Sequence, residues 1–193
     1  MTKPSLNYFW LALLFLSMAC LRALSPVGAA NPAAYGRIAI VGEPKFVAQT
    51  RAALALLERK DIEAFTKVQT YIGVIEQGKH SGMWVWESPP RYEVGNVTAF
   101  FSVTWYASTI AHDATHSELY ARYYMAHPGK AVPEEIYGGV AIERFCNAYQ
   151  IEVLKHINAP QSEIDYMATL DGTHCDLDRD GDCDLTDYQH RNW

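Results

Sequence analysis

Apolar residues recur at helical spacing over residues 44–60, where Phe46, Val47, Ala53, Leu54 and Leu57 fall on one face behind Pro44 at the first turn. A short β-type run, residues 37–41, precedes this helix and ends at Gly42; residues 31–36 read as a linker. From Ile62 the period changes. Phe65, Val68, Tyr71, Ile72, Val74 and Ile75 predict a β-leaning stretch, broken by Gly78 and Gly82. A second such stretch, 83–87, stops at Pro89-Pro90, so the two predict a hairpin or two adjacent strands. Residues 97–125 hold no Gly or Pro and predict a long helix ended by Pro128-Gly129. Another helix is expected from Pro133 or Tyr137 to Ile157, then a short one over 162–170. The expected class is α+β: mostly helical, with a small β-hairpin or sheet ahead of the long helix.

Composition fits this picture: 193 residues, 49% hydrophobic and 20% charged, are those of a globular chain. The net charge of −6 is uneven. Residues 171–193 carry seven aspartates against Arg179 and Arg191, leaving about one net negative charge for everything before them. No basic stripe exists, so nucleic acid is not an expected partner. At the amino terminus, Lys3 precedes a short apolar run over 8–20, and Gly28-Ala29-Ala30 offers small residues for cleavage. This predicts a signal peptide over 1–30 and an exported, periplasmic or cell-envelope protein. Arg22 interrupts the stretch, and Ser17-Met18-Ala19-Cys20 leaves open a lipid on Cys20 or an uncleaved anchor. Without the leader three cysteines remain. Cys175 and Cys183 either pair across an acidic loop or stay reduced with Cys146.

The chemistry is concentrated at His112-Asp113-Ala114-Thr115-His116. Histidines four apart share a helical face and can grip one metal ion. A zinc site needs at least one more protein ligand. Glu143 is the candidate, 27 residues after His116 in a mostly apolar stretch of the next helix, with Asn147 and Gln150 continuing a polar ridge. The alternative is a solvated Glu143 paired with Arg144 or Lys155.

Residues 62–157 resemble the glutamate-liganded zincin metallopeptidases, and in particular small exported proteins of that type. That family carries H-E-x-x-H on one helix and a third ligand, glutamate, on the next, often followed four residues later by a supporting aspartate. His112, Asp113, His116, Glu143 and Asn147 fall on those positions. The resemblance implies a zincin-like domain over 31–170, zinc as cofactor, a peptide or protein substrate, and an extended substrate along the strand near 83–87. Two positions depart from the pattern. Asp113 stands for the glutamate base and is one methylene shorter; misplacement by about 1 Å costs on the order of 100-fold in rate. Asn147 stands for the aspartate. Tyr120, Tyr123 and Tyr137 are open candidates for an oxyanion donor.

The tail carries a second constellation. Asp176, Asp178, Asp180, Asp184 and Asp187 occupy calcium-loop positions one, three, five, nine and twelve, with Gly181 at the turn and Asp182 offering its carbonyl. Too little chain follows for a full exiting helix, so a structural clip over 171–193 is expected rather than a sensor, one that could bury Trp193. Three functions follow: a zinc-dependent hydrolase, a non-catalytic zinc- and calcium-binding envelope protein, or a calcium-dependent interaction module.

Overall fold

A computed structural model describes residues 33–183 and 185–191. The expected leader, Asp184 and Trp193 lie outside the described residues. No described helix is long and apolar enough to cross a membrane.

The described residues open with β1 (Ala33–Tyr35) and β2 (Ile38–Val41), a tight antiparallel pair turning at Gly36, where φ is +59°. Residues expected to form a linker are thus an edge strand. Helices α1 (Pro44–Lys60) and α2 (Ile62–Tyr71) then cross to β3 (Val74–Gly78), which runs parallel to β2. The β-leaning reading of 62–75 is corrected here. Its first ten residues are helical because Asp61 caps them, its carboxylate accepting from Ala64 N at 3.0 Å, and Ala64 and Val68 are buried. Strands β4 (Gly82–Trp84) and β5 (Arg91–Gly95) follow, and β5 returns between β3 and β4. The sheet therefore has five strands in the order β1-β2-β3-β5-β4, larger than the expected hairpin. Its three central strands are parallel and its two edges antiparallel.

Alternation decides which face the helices cover. Ile40, Ile75, Tyr92 and Met83 align across the sheet on the covered face, and the first three are buried. Arg91, Glu76 and Glu93 lie on the other face, where Arg91 pairs with both glutamates and with Glu87.

The long helical stretch is two helices, α3 (Asn96–Phe101) and α4 (Val103–Ala126). Ser102 separates them in extended conformation, and its Oγ accepts from Trp105 N at 2.8 Å. At 24 residues α4 is about 36 Å long. It threads the centre of the molecule, burying Tyr106, Ala107, Ile110, Ala111 and Ala114. A single 3-10 turn over Glu134–Ile136 leads to α5 (Val140–His156), packed along α4, and then to α6 (Gln161–Ala168). Near the carboxyl terminus a 3-10 turn (Thr173–Cys175) contacts α5, and α7 (Leu185–His190) closes the described chain. Tyr188 of α7 stacks edge-on against Trp84 of β4, at 5.4 Å between ring centroids.

Candidate metal centre

The helical repeat brings His112 and His116 together on α4, with their Nε2 atoms 3.0 Å apart and both rings buried. Glu143 meets them from α5: Oε2 lies 3.3 Å from His112 Nε2, and Oε1 lies 3.6 Å from His116 Nε2. Ligands about 2.0–2.1 Å from a zinc ion stand roughly 3.3–3.4 Å apart in a tetrahedron. The separations lie near that spacing, with each histidine facing a different oxygen of Glu143. The solvated alternative for Glu143 is not what forms: Lys155 pairs with Glu152, and Arg144 donates to the Asp171 carbonyl.

The local chain explains how a carboxylate is tolerated here. Glu143 sits in the first turn of α5, where unpaired backbone N–H groups favour negative charge. Burial pushes its pKa up, but His116, His112 and His174 outweigh that and hold it well below the usual carboxylate range. Burial pulls His112 down, yet Glu143 overcomes this and raises it. His116 is oriented by the carbonyl of Tyr137, 2.6 Å from Nδ1. An N–H at Nδ1 donating there leaves the Nε2 lone pair facing His112 and Glu143, the arrangement a metal ligand requires. His112 Nδ1 is buried without a hydrogen-bond partner.

Asp113 lies beside the pair on the wall of a cleft of about 1190 Å³ that reaches all three donors. Burial first, and then the nearby Asp113 charge, push the pKa of the buried Tyr92 hydroxyl up. Burial raises the Asp113 pKa; His112 and His116 pull it back and Glu143 pushes it up. Asn147 departs from the expected supporting role. Its Nδ2 reaches the Leu170 carbonyl at 3.5 Å and its Oδ1 is buried and unpartnered, so the Tyr137 carbonyl supports the histidine instead. Gln150 turns to Ser108, 3.0 Å away. Of the three tyrosines, Tyr137 lines the cleft, Tyr120 packs against it, and Tyr123 stacks on His127.

Two donors were not anticipated. Cys146, one turn beyond Glu143, places Sγ within 4.8 Å of the histidine nitrogens, and burial pushes its thiol pKa up. His174, from the tail, puts Nε2 3.6 Å from Glu143 Oε2. Burial lowers the His174 pKa, and the Glu143 carboxylate opposes it. The i, i+3 relation between Glu143 and Cys146 was legible in the sequence; no spacing pointed to His174.

Elsewhere the cleft carries a run of aromatic side chains, Trp84, Trp86, Phe101, Trp105, Tyr137 and Tyr166, among polar ones that include Glu134, Glu163 and Arg191, with β4 along one side. Trp86, Phe101 and Tyr166 are 50%, 67% and 56% exposed, and a grouped exposed aromatic surface marks a binding site.

The acidic tail forms a compact loop. Asp176, Asp178 and Asp180 bring carboxylate oxygens within 4.8 Å of one another. Each accepts a backbone N–H within the loop: Gly181 on Asp176, Asp180 on Asp178, and Asp182 on Asp180. Asp187 is buried and folds back, its Oδ1 accepting from Leu177 N and Asp178 N at 2.6 and 3.2 Å. Gly181 has φ of +104°, as the sharp turn demands. The Asp180 N–H lowers the Asp178 pKa, but desolvation and the neighbouring aspartates raise it overall. Cys175 and Cys183 are joined in a disulfide across the loop, and Cys146 remains free and buried.

Compared with protein-family models, with curated proteins and with solved structures, the chain matches none.

Proposed function

We propose that this chain is an exported zinc-dependent hydrolase acting on peptides with bulky apolar side chains, stabilised by a structural calcium loop. One observation carries the reading: His112, His116 and the Glu143 carboxylate converge, buried, on a large cleft that Asp113 also lines. The zincin-like plan is supported by β4, an edge strand whose residues border the same cleft, where an extended peptide can lie. An oxidising compartment fits the Cys175–Cys183 disulfide. Calcium would be held by Asp176, Asp178 and Asp180, with Asp182, Asp184 and Asp187 completing the loop.

Zinc, when bound, supplies Lewis acidity to polarise the scissile carbonyl. His112 and His116 offer Nε2 lone pairs, and Glu143 offers a carboxylate whose charge its neighbours already stabilise. Asp113 takes a proton from the attacking water at a carboxylate oxygen and returns it to the leaving amine. Its raised pKa suits that exchange. The aromatic walls exclude water and hold the apolar side chain.

The test is hydrolysis of a fluorogenic peptide library by the zinc-loaded full chain. Cleavage next to aromatic or large aliphatic residues is expected, abolished by a chelator and reduced about 10²–10⁴-fold in Asp113→Asn at unchanged zinc content. Absence of cleavage, or cleavage indifferent to both treatments, contradicts the hydrolase.

A further inference from the structure

Three donors suffice for a catalytic zinc site, yet a fourth reaches this one from the carboxyl-terminal segment. We propose that His174 is the fourth ligand, and that the segment carrying it is an intrinsic latch that closes the centre at rest and is displaced by substrate. The inference rests on the assignment of His112, His116 and Glu143 as a zinc centre.

His174 Nε2 stands 3.6 Å from Glu143 Oε2, the same separation as between Glu143 and His116. Its ring lines the cleft with the other three donors, and its Nδ1 is buried with no hydrogen-bond partner. The backbone that presents it is held firmly. Asp171 Oδ1 accepts from Thr173 N at 3.0 Å and from Thr173 Oγ1 at 2.6 Å, and Arg144 ties the Asp171 carbonyl to α5. Gly172 adopts φ of +92° so close to α5 that a Cβ there would meet the Val140 carbonyl oxygen at 2.5 Å. Only glycine tolerates that combination. On the other side, Cys175 is bonded to Cys183 across the acidic loop. His174 is therefore positioned by its surroundings and does not drift on the surface.

The consequence follows from ligand number. Zinc sites with four protein ligands are closed, whereas catalytic ones keep a position open for water or substrate. With His174 in place the resting centre has no open position, and an entering peptide must displace the ring to reach it. With it displaced, the centre has three protein ligands facing the cleft. The ring also borders a second cavity of about 450 Å³, lined by Thr173, Asp176, Leu177 and Arg179, which gives it somewhere to go. Asp176 begins the acidic loop two residues later, so an ion held in that loop stiffens the latch.

Cobalt(II) is the probe, because its visible absorption reports coordination number and its response to azide reports an open position. The full chain is expected to give intense four-coordinate bands that azide leaves unchanged. His174→Gln and His174→Ala, each with a native circular dichroism spectrum, should still bind one cobalt. Their affinity should fall by at least the roughly tenfold that accompanies loss of a ligand's hydrogen-bonding partner, and azide should now perturb the bands. Variants matching the wild type in affinity and azide response overturn the inference, as does an azide-sensitive wild type. A thiolate charge-transfer band would assign the fourth position to Cys146 and overturn it equally. If the wild type binds no more cobalt than His112→Ala does, the three-ligand centre itself is wrong and the latch falls with it.

Discussion

The two candidate ion sites are built on opposite plans. The acidic loop draws its groups from Asp176 to Asp187 of one continuous segment, and its internal hydrogen bonds span two to ten residues. The metal centre gathers His112 and His116 from one helix and Glu143 from another, and its donors are buried. A local site can form from its own sequence once an ion neutralises its carboxylates. A dispersed site exists only after α4 and α5 have packed, so it inherits the stability of the core and contributes to it.

Substitutions can break that contrast, the largest effect first. Glu143→Gln should cut zinc affinity by more than the roughly 100-fold seen when a ligand merely loses its hydrogen-bonding partner, while calcium binding stays intact; isothermal titration with each ion checks both. Asp176→Asn should do the reverse. Calcium at 100 times its dissociation constant stabilises a folded protein by about 2.7 kcal/mol. At this size that is about 5–10 °C in Tm, and the shift should vanish in the variant while zinc binding persists. Equal loss of both ions in either variant would mean the sites are one cooperative unit.

A smaller effect comes from the face of the sheet that carries Arg91, Glu76 and Glu93. The hydrogen bond from Arg91 holds the Glu87 carboxyl below its ordinary range. A depressed carboxyl contributes stability that is complete above the unfolded value of about 4.3 and is lost as pH falls through the folded one. Denaturant midpoints of the wild type should therefore fall slightly more steeply below about pH 4 than those of Arg91→Ala. Because Glu87 is partly exposed, solvent screening keeps the difference small, and parallel curves would show that the pair contributes nothing.

What the sequence revealed follows the same division. The loop was legible because its ligand spacing is a property of one segment. The histidine pair was legible for the same reason, since four residues make one helical turn. Glu143 was reached through its apolar surroundings, where a carboxylate needs partners. His174 carries no comparable mark; only the fold of residues 171–175 against α5 brings it near. Helix α2 was misread because Phe65, Val68, Tyr71 and Ile72 are β-favouring types, while the Asp61 cap that settles its start is a single polar contact. Strand β5 went unseen because its alternation is five residues long and its polar face carries Arg91 and Glu93, whose pairing appears only across the sheet.

The most direct measurement is the zinc content of the purified full chain after exhaustive dialysis, beside His112→Ala and Glu143→Gln variants shown to be folded. One zinc per wild-type chain, and none in either variant, is the expected result. A wild type without zinc, or a His112→Ala variant that retains it, contradicts the centre on which the account rests.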